Sequence, residues 1–453
     1  MSTVVAPPSL VDVQPAPRLR GDLRLPGDKS ISHRALMLAL LADGESVISG
    51  AGDGADVRST AGIVRMLGAS VERAPGEGPN VDYRVRSDGT RAIREPAGVL
   101  DCGNSGTSLR LFAGILAGHP IRATLDGDAS LRGRPVARII EPLRSMGATL
   151  EGSQGDSRAP LTVSGRSPLR AIDWSTPVPS AQVKSAILLA ALRADGTTTV
   201  RERVATRDHT ERMLRARGAA VRSGRDESAG AVIEIDGGAV MQARDEQVPG
   251  DPSAAAFWLV AGAIHPDAEV RLHDVGVNPT RRAIIDVLRG MGAAISETPA
   301  GAALLDAVDS VGEPLAELVV RSSELRAFEL SPSETAGAID EIPILCLAAS
   351  QALGRTVIQG VGELRHKESD RVAGIVDGLR ELGAKIRARR DDLVIDGPTP
   401  LRGAAVDSLG DHRLALTFAI AGLVAGGRTT IGNAESVSIS YPTFFADLER
   451  IRS

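Results

Sequence analysis

Apolar residues at i, i+3, i+4 and i+7 recur along the chain in segments that stop at a glycine and run on into an apolar strand start. The copies are VRSTAGIVRMLGASV, VARIIEPLRSMGATL, HTERMLRARGAAV, TRRAIIDVLRGMGAAI and DRVAGIVDGLRELGAKI. Each predicts an amphipathic helix that glycine ends at its C-cap. The glycines are Gly68, Gly147, Gly218, Gly292 and Gly383, spaced 79, 71, 74 and 91 residues apart. PTFFADLERI, at the end of the chain, predicts a sixth such helix without the Gly-Ala. Between these copies lie segments that are apolar nearly all round: SHRALMLALLA, TSLRLFAGILAG, AQVKSAILLAALRA, PSAAAFWLVAGAI, DEIPILCLAASQAL and HRLALTFAIAGLVA. A helix without a polar face belongs in the centre of a domain. Strand-like stretches follow them, such as GESVISG, IRATLDG and RTVIQG. Each repeat therefore holds one buried helix, one amphipathic helix and strands, and six repeats predict an α/β protein of two domains with three repeats each. Periods of roughly 70–90 residues are too long for a short-repeat solenoid.

RDEQVPGDPS (244–253) is the best candidate for a crossing between domains. The start of the chain then returns to the later domain, giving 1–26 plus 248–453 and 27–247. The first 20 residues carry four prolines and no apolar core of signal-peptide length, so they read as a flexible tail.

Composition removes several classes of function. Lys plus Arg number 52 against 57 Asp plus Glu, a net charge of −5, which makes nucleic acid no default partner. Ten aromatic residues in 453 argue against base-stacking platforms. Two cysteines exclude a disulfide framework and a thiolate zinc cluster and fit a reducing compartment. No apolar run reaches the roughly 18 residues of a membrane span. A cytoplasmic protein is the expectation. Only four lysines (Lys29, Lys184, Lys367, Lys385) stand against 48 arginines. A retained lysine then marks a place for a compact, tunable ammonium, or it is chance, the preferred reading for Lys385 at a helix end.

Six segments carry candidate chemistry. LPGDKSISHRALMLA places Lys29, Ser30 and Arg34 at the start of a buried helix, where free N–H groups favour an anion; the plain alternative is an Asp cap with solvated neighbours. GNSGTS around Gly106 allows backbone amides to approach a phosphate or carboxylate, or simply caps a helix. Arg134, Ser180, Gln182 and Arg207 lie in RGRPVAR, PSAQVK and TRDHTE, and each is weak singly in an Arg-rich chain. Asp340 and Glu341 precede a very apolar helix, as cap or general base. ELRHKESDR alternates basic residues, Lys367 and Arg371 among them, with Glu368 and Asp370, and a Lys–Glu pair there can do acid/base work. LGDHRLALTFA puts Arg413 at the start of another buried helix. The candidate cations come from both halves of an acidic chain, which points to a multiply charged small anion, or two, bound between domains. No spacing resembles a metal site.

PGDKSISHRALMLA, GNSGTSLR, RHKESDR and DHRLALTFA, in this order from about residue 21 to 450, resemble the motifs of the 5-enolpyruvylshikimate-3-phosphate synthase family. The resemblance implies an inside-out α/β barrel in each of two domains, built from six βαβαββ units, three per domain. It implies closure of the domains on shikimate 3-phosphate and phosphoenolpyruvate. The enolpyruvyl group passes to the shikimate 5-hydroxyl, phosphate is released, and no organic cofactor is required. Such an enzyme serves chorismate and aromatic amino-acid synthesis, and the family expectation is a monomer. Residue by residue, Ser30, Arg34, Ser180, Ala181, Gln182 and Arg207 match positions that hold shikimate 3-phosphate. Lys29, Gly106, Arg134, Arg371 and Arg413 match the phosphoenolpyruvate side, with Gln182 near both. Asp340 matches the carboxylate that takes the hydroxyl proton. Glu368 matches the acid/base at the phosphoenolpyruvate methylene, with Lys367 beside it. SAQVK, RDHTE and NPTR (278–281) resemble the second sequence class, many of whose members resist glyphosate; resistant members can carry Ala where this chain has Gly106. A Lys that well-known bacterial members carry before the aromatic-Pro pair is absent, since Ile439-Ser440 precede Tyr441-Pro442.

Two alternatives differ in what they require. The sister transferase acting on UDP-N-acetylglucosamine uses a Cys general acid on a mobile loop, whereas Cys102 adjoins the glycine turn and Cys346 lies in an apolar helix. A non-catalytic anion-binding homologue would have lost Lys29, Asp340 or Glu368, and all are present.

Overall fold

The computed structural model describes residues 9–226, 230–300 and 312–452. Twelve helices of seven or more residues occur among them, alternating between two kinds. The first kind is α1 (Lys29–Leu41), α3 (Gly106–Ala117), α5 (Ala181–Ala191), α7 (Pro252–Ile264), α9 (Ile342–Gln351) and α11 (His412–Val424). The second kind is α2 (Ala55–Met66), α4 (Ala137–Ser145), α6 (His209–Arg215), α8 (Ala283–Gly290), α10 (Arg371–Glu381) and α12 (Phe444–Ile451). In α7 every residue from Pro252 to Ala263 is buried, as the absence of a polar face requires. In α8 only Ile284, Ile285 and Leu288 are buried, a single apolar stripe.

Gly68, Gly147, Gly218, Gly292 and Gly383 all have positive φ, between 91° and 122°. Each stops its amphipathic helix by taking a backbone conformation that a side chain resists.

Among the described residues the strands form six principal sheets, one per repeat: five of four strands and one of three, with a separate two-stranded pair. The four-stranded sheets share one pattern. A parallel pair such as Glu246–Gln247 with Asp43–Gly52 is extended by two antiparallel strands. The three-stranded sheet pairs Ala405–Asp407 parallel with Thr429–Gly432, and Leu10–Val13 fills its third place antiparallel.

That last pairing corrects the tail expected over residues 1–20. Its prolines flank LVDV rather than interrupt it. Val13 is buried and lies against Gly422 of α11, and Leu19 opens the strand Leu19–Arg24, parallel to Ala268–Gly276. Residues 1–8 lie outside the described residues. Lys385 is also corrected: it begins the strand Lys385–Arg389 and is exposed.

The chain divides into two compact units. Pro26–Pro249 with Ala302–Pro314 make one, here the central unit; Met1–Leu25, Gly250–Gly301 and Leu315–Ser453 make the C-terminal unit. Within the central unit α3 and α5 approach so closely that a Cβ on Gly114 would fall 2.2 Å from the Ala186 carbonyl oxygen. Within the C-terminal unit Trp258 of α7, Phe444 of α12 and Tyr441 cluster, and Trp258 Nε1 donates to the Tyr441 hydroxyl at 3.1 Å. Among the described residues no helix is long and apolar enough to cross a membrane.

Candidate active site

In each unit the starts of three buried helices meet, and the sequence-predicted residues gather there. The caps explain the position. Asp28, Ser105, Ser180, Asp251 and Asp411 each accept a backbone N–H of the helix they precede. Each polar cap opens an apolar helix, so where the starts of these helices meet, polar and charged groups collect at one end of the core.

In the central unit Lys29 and Ser30 occupy the first turn of α1, and Lys29 Nζ lies 3.0 Å from Asp56. Arg34, one turn on, is buried. It donates to the Ser30 carbonyl (2.9 Å), the Thr210 hydroxyl (2.7 Å) and the Ser185 hydroxyl (2.9 Å). Burial pushes its pKa down to about 10, against the pull of Glu211 and Asp28, and the neighbouring Arg207 charge adds to the fall. Two arginines held within each other's field are matched by an anion with more than one charge. Gly106 opens α3. Its carbonyl accepts from Arg110, which also donates to Gln182 of α5 and to the Pro135 carbonyl. Gln182 in turn donates to Thr107 at 3.0 Å. Arg134 donates to Asn104 at 2.6 Å. Ser180 caps α5, and Ala181 follows it.

A buried relay joins α1 to the glycine turn. His33 Nδ1 meets Thr60 Oγ1 at 2.7 Å, Thr60 meets Ser108 Oγ at 2.7 Å, and Ser108 donates to Ser105 Oγ at 2.8 Å. Burial pushes the His33 pKa down to about 3, so a neutral imidazole serves the relay.

In the C-terminal unit Arg371 opens α10, fully buried, with three carboxylates around one guanidinium. It contacts Glu368 at 2.6 Å, Asp411 at 2.7 Å and Asp340 at 3.8 Å. Burial works against its charge, yet these carboxylates outweigh burial and raise its pKa. Asp411 shows the reciprocal balance: burial disfavours its charge, and Arg371 holds its pKa below the usual carboxylate range. Asp340 also faces Lys367 at 3.6 Å and Arg413 at 4.0 Å. Arg413 is fixed by donating to the Asp340 carbonyl at 2.9 Å. Three carboxylates and three cations thus share one end of this unit.

Sequence reasoning missed several members. Asp251 and Ser253 lie in the stretch read as a crossing. In the structure Ser253 donates to Glu341, and Arg281 donates to Ser253 (3.0 Å) and Asp251 (3.2 Å). The available signal was Asp-Pro-Ser directly before an apolar run, a cap pattern. Arg110 and Asp56 gave no signal, because their partners come from other elements. The cysteines are both buried. Burial, with Asp101 and Asp126, raises the Cys102 thiol, and burial pushes Cys346 up to about 12. Neither is a reactive thiol at neutral pH. Among the described residues no group of three or more His, Cys, Asp or Glu is arranged to hold a metal ion.

Known proteins carry the same pattern over the whole chain. A sequence model of the family described as EPSP synthase (3-phosphoshikimate 1-carboxyvinyltransferase) matches residues 13–448. The chain belongs to the EPSP synthase family. A 3-phosphoshikimate 1-carboxyvinyltransferase of Gloeobacter violaceus is 50% identical over 441 residues, covering 97% of this chain and 98% of that protein. The EPSP synthase of Acinetobacter baumannii superposes with a TM-score of 0.85 at 38% identity, over 98% of each chain. The enolpyruvyl transferase NikO of Streptomyces tendae, at 20% identity and a TM-score of 0.75 over 98% of this chain and 97% of its own, shares the fold. The six-repeat, two-domain α/β architecture expected from the apolar pattern, and the inside-out fold implied by the resemblance, are those of EPSP synthases. The alternative acting on a nucleotide sugar is not favoured.

Proposed function

We propose that the chain transfers the enolpyruvyl group of phosphoenolpyruvate to the 5-hydroxyl of shikimate 3-phosphate and releases phosphate, in the route to chorismate and aromatic amino acids. The observation that carries this reading is the C-terminal cluster. There Glu368 is held by Arg371, and Asp340 is ringed by Lys367, Arg371 and Arg413.

Glu368 gives a proton to the phosphoenolpyruvate methylene. The adjacent carbon becomes electrophilic, the 5-hydroxyl adds to it, and Asp340 takes the hydroxyl proton. In the resulting tetrahedral intermediate phosphate leaves as the methyl loses a proton to Glu368. Lys29, Gly106, Arg134, Gln182, Arg371 and Arg413 hold the phosphoenolpyruvate oxygens. Fixed guanidinium groups stabilise charge there without reorganising. Ser30, Arg34, Ser180, Ala181, Gln182 and Arg207 hold shikimate 3-phosphate, with Lys29, Asp340 and Lys367 also contacting it. The enzyme works as a cytoplasmic monomer, and sedimentation at the protein's own mass of 47.1 kDa is the expected result.

The test is phosphate release from phosphoenolpyruvate with either shikimate 3-phosphate or UDP-N-acetylglucosamine as acceptor. Release is expected only with shikimate 3-phosphate. Glu368→Gln keeps the shape and removes the proton, so kcat falls by about 10²–10⁴-fold. Release with the nucleotide sugar alone refutes the reading.

A further inference from the structure

Lys184 is one of four lysines in the chain, and it is the one buried completely. Its ammonium lies 2.9 Å from Glu202 and 2.8 Å from Glu211, with both carboxylates equally enclosed. It also donates to the Thr206 carbonyl at 3.3 Å. Glu202 holds the same threonine twice more, accepting from its hydroxyl at 2.6 Å and from its backbone N–H at 3.2 Å. Thr206 is therefore clamped by its carbonyl, its hydroxyl and its N–H, and the next residue is Arg207.

The cluster reaches Arg34 as well. Ser185, after Lys184, and Thr210, before Glu211, meet at 2.7 Å, and both accept from the Arg34 guanidinium. Glu211 is the leading charge that keeps Arg34 cationic against its burial. Lys184 and Arg34 thus both face buried carboxylates, Glu211 acting on each of them. Buried ions of this kind are rarely the cheapest way to fill a core. What they supply here is direction, since every ligand of the cluster touches or adjoins Arg34, Arg207 or the first turns of α5.

We propose that Lys184, with Glu202 and Glu211, is a positioning residue for the phosphate of shikimate 3-phosphate: the buried cluster clamps Thr206 to aim Arg207 and holds Arg34 in place. This rests on the function proposed above. Removing the ammonium leaves two adjacent buried carboxylates that repel one another. Glu202 then shifts from Thr206, whose carbonyl has also lost its donor, and the loop before α6 loosens.

The experiment measures kcat and KM for both substrates, by phosphate release, in the wild type, Lys184→Met, Thr206→Val and Thr206→Ser. Lys184→Met and Thr206→Val are expected to raise KM for shikimate 3-phosphate about tenfold, with KM for phosphoenolpyruvate within about twofold. Thr206→Ser restores the hydroxyl and is expected to behave as wild type. Should Lys184→Met fail to fold, Thr206→Val decides, because it removes one half-buried hydroxyl only. An unchanged KM for shikimate 3-phosphate in Thr206→Val overturns the proposal. So does an equal rise for both substrates, or a Thr206→Ser enzyme as impaired as Thr206→Val. An inactive wild type overturns the functional reading and this one together, whereas an active wild type without the split overturns this one alone.

Discussion

At the scale of single residues, the scarcity of lysine was the most useful signal in the sequence. Lys29 and Lys367 join the clusters at the helix starts, and Lys184 forms a buried ion cluster. Lys385 sits on an exposed strand. Scarcity marks a position without saying what faces it: Glu202 and Glu211 reach Lys184 from other elements, and that pairing exists only in the folded chain. His33 was equally unreadable, one polar residue inside SISHRAL. Its burial gives it a measurable signature. The folded-state pKa, about 3, lies below the usual 6.5. Below pH 6.5 the unfolded chain binds a proton that the native imidazole refuses. Stability therefore falls as pH falls, and this loss ends near pH 3. The slope is about 1.4 kcal/mol per pH unit, or about 2 kcal/mol by pH 5. Urea unfolding between pH 7 and 4 measures it against His33→Asn, whose amide can still hydrogen-bond Thr60 and does not titrate. The wild type is expected to lose stability relative to the variant as pH falls. Parallel pH profiles would refute the assignment.

At the scale of elements, apolar periodicity carried most of the information. Both kinds of helix and their order were legible, because a repeat that buries one helix all round and another on one stripe has little freedom in sequence. The short strand Leu10–Val13 was not legible. Four residues beside prolines look like a linker until a partner strand, Thr429–Gly432, is available across the length of the chain. Helix contact distance was hidden as well. Gly114 and Gly62 are both helix-interior glycines, yet their surroundings are opposite. A Cβ at Gly114 would collide with backbone of α5, the Ala186 carbonyl oxygen at 2.2 Å, whereas a Cβ at Gly62 meets nothing within 4 Å. Gly62→Ala is expected to stabilise the protein by about 0.4–1 kcal/mol through helix propensity and the unfolded chain. Gly114→Ala must separate α3 from α5 and is expected to destabilise by about 1–3 kcal/mol or more. Because α3 and α5 carry Gly106 and Gln182, KM for phosphoenolpyruvate should rise in Gly114→Ala alone. Denaturant unfolding and steady-state kinetics on the two variants check both parts.

At the scale of the whole molecule, an acidic chain binds two anions, so its positive charge must be concentrated locally. The net charge is −5, and the long-range field therefore gives anionic substrates no general attraction. The arginine and lysine side chains proposed above to hold them lie at or near helix starts in each unit, held by carboxylates that cancel much of their charge at a distance. Arg371 illustrates this, with three carboxylates about one guanidinium. Affinity then comes from short, partly buried contacts, for which salt screening is weak, and little from diffuse steering. The Debye length shrinks from about 10 Å at 0.1 M to about 3 Å at 1 M. Contacts shorter than about 3 Å lie inside both lengths. Raising NaCl from 0.1 to 0.5 M is therefore expected to change KM for each substrate by less than about threefold, apart from competition by chloride, which tetramethylammonium acetate at equal ionic strength separates. A steep common rise of both KM values with ionic strength, whatever the salt, would show that a distributed field draws the substrates in. The helix-start clusters would then be less important for binding than their geometry implies.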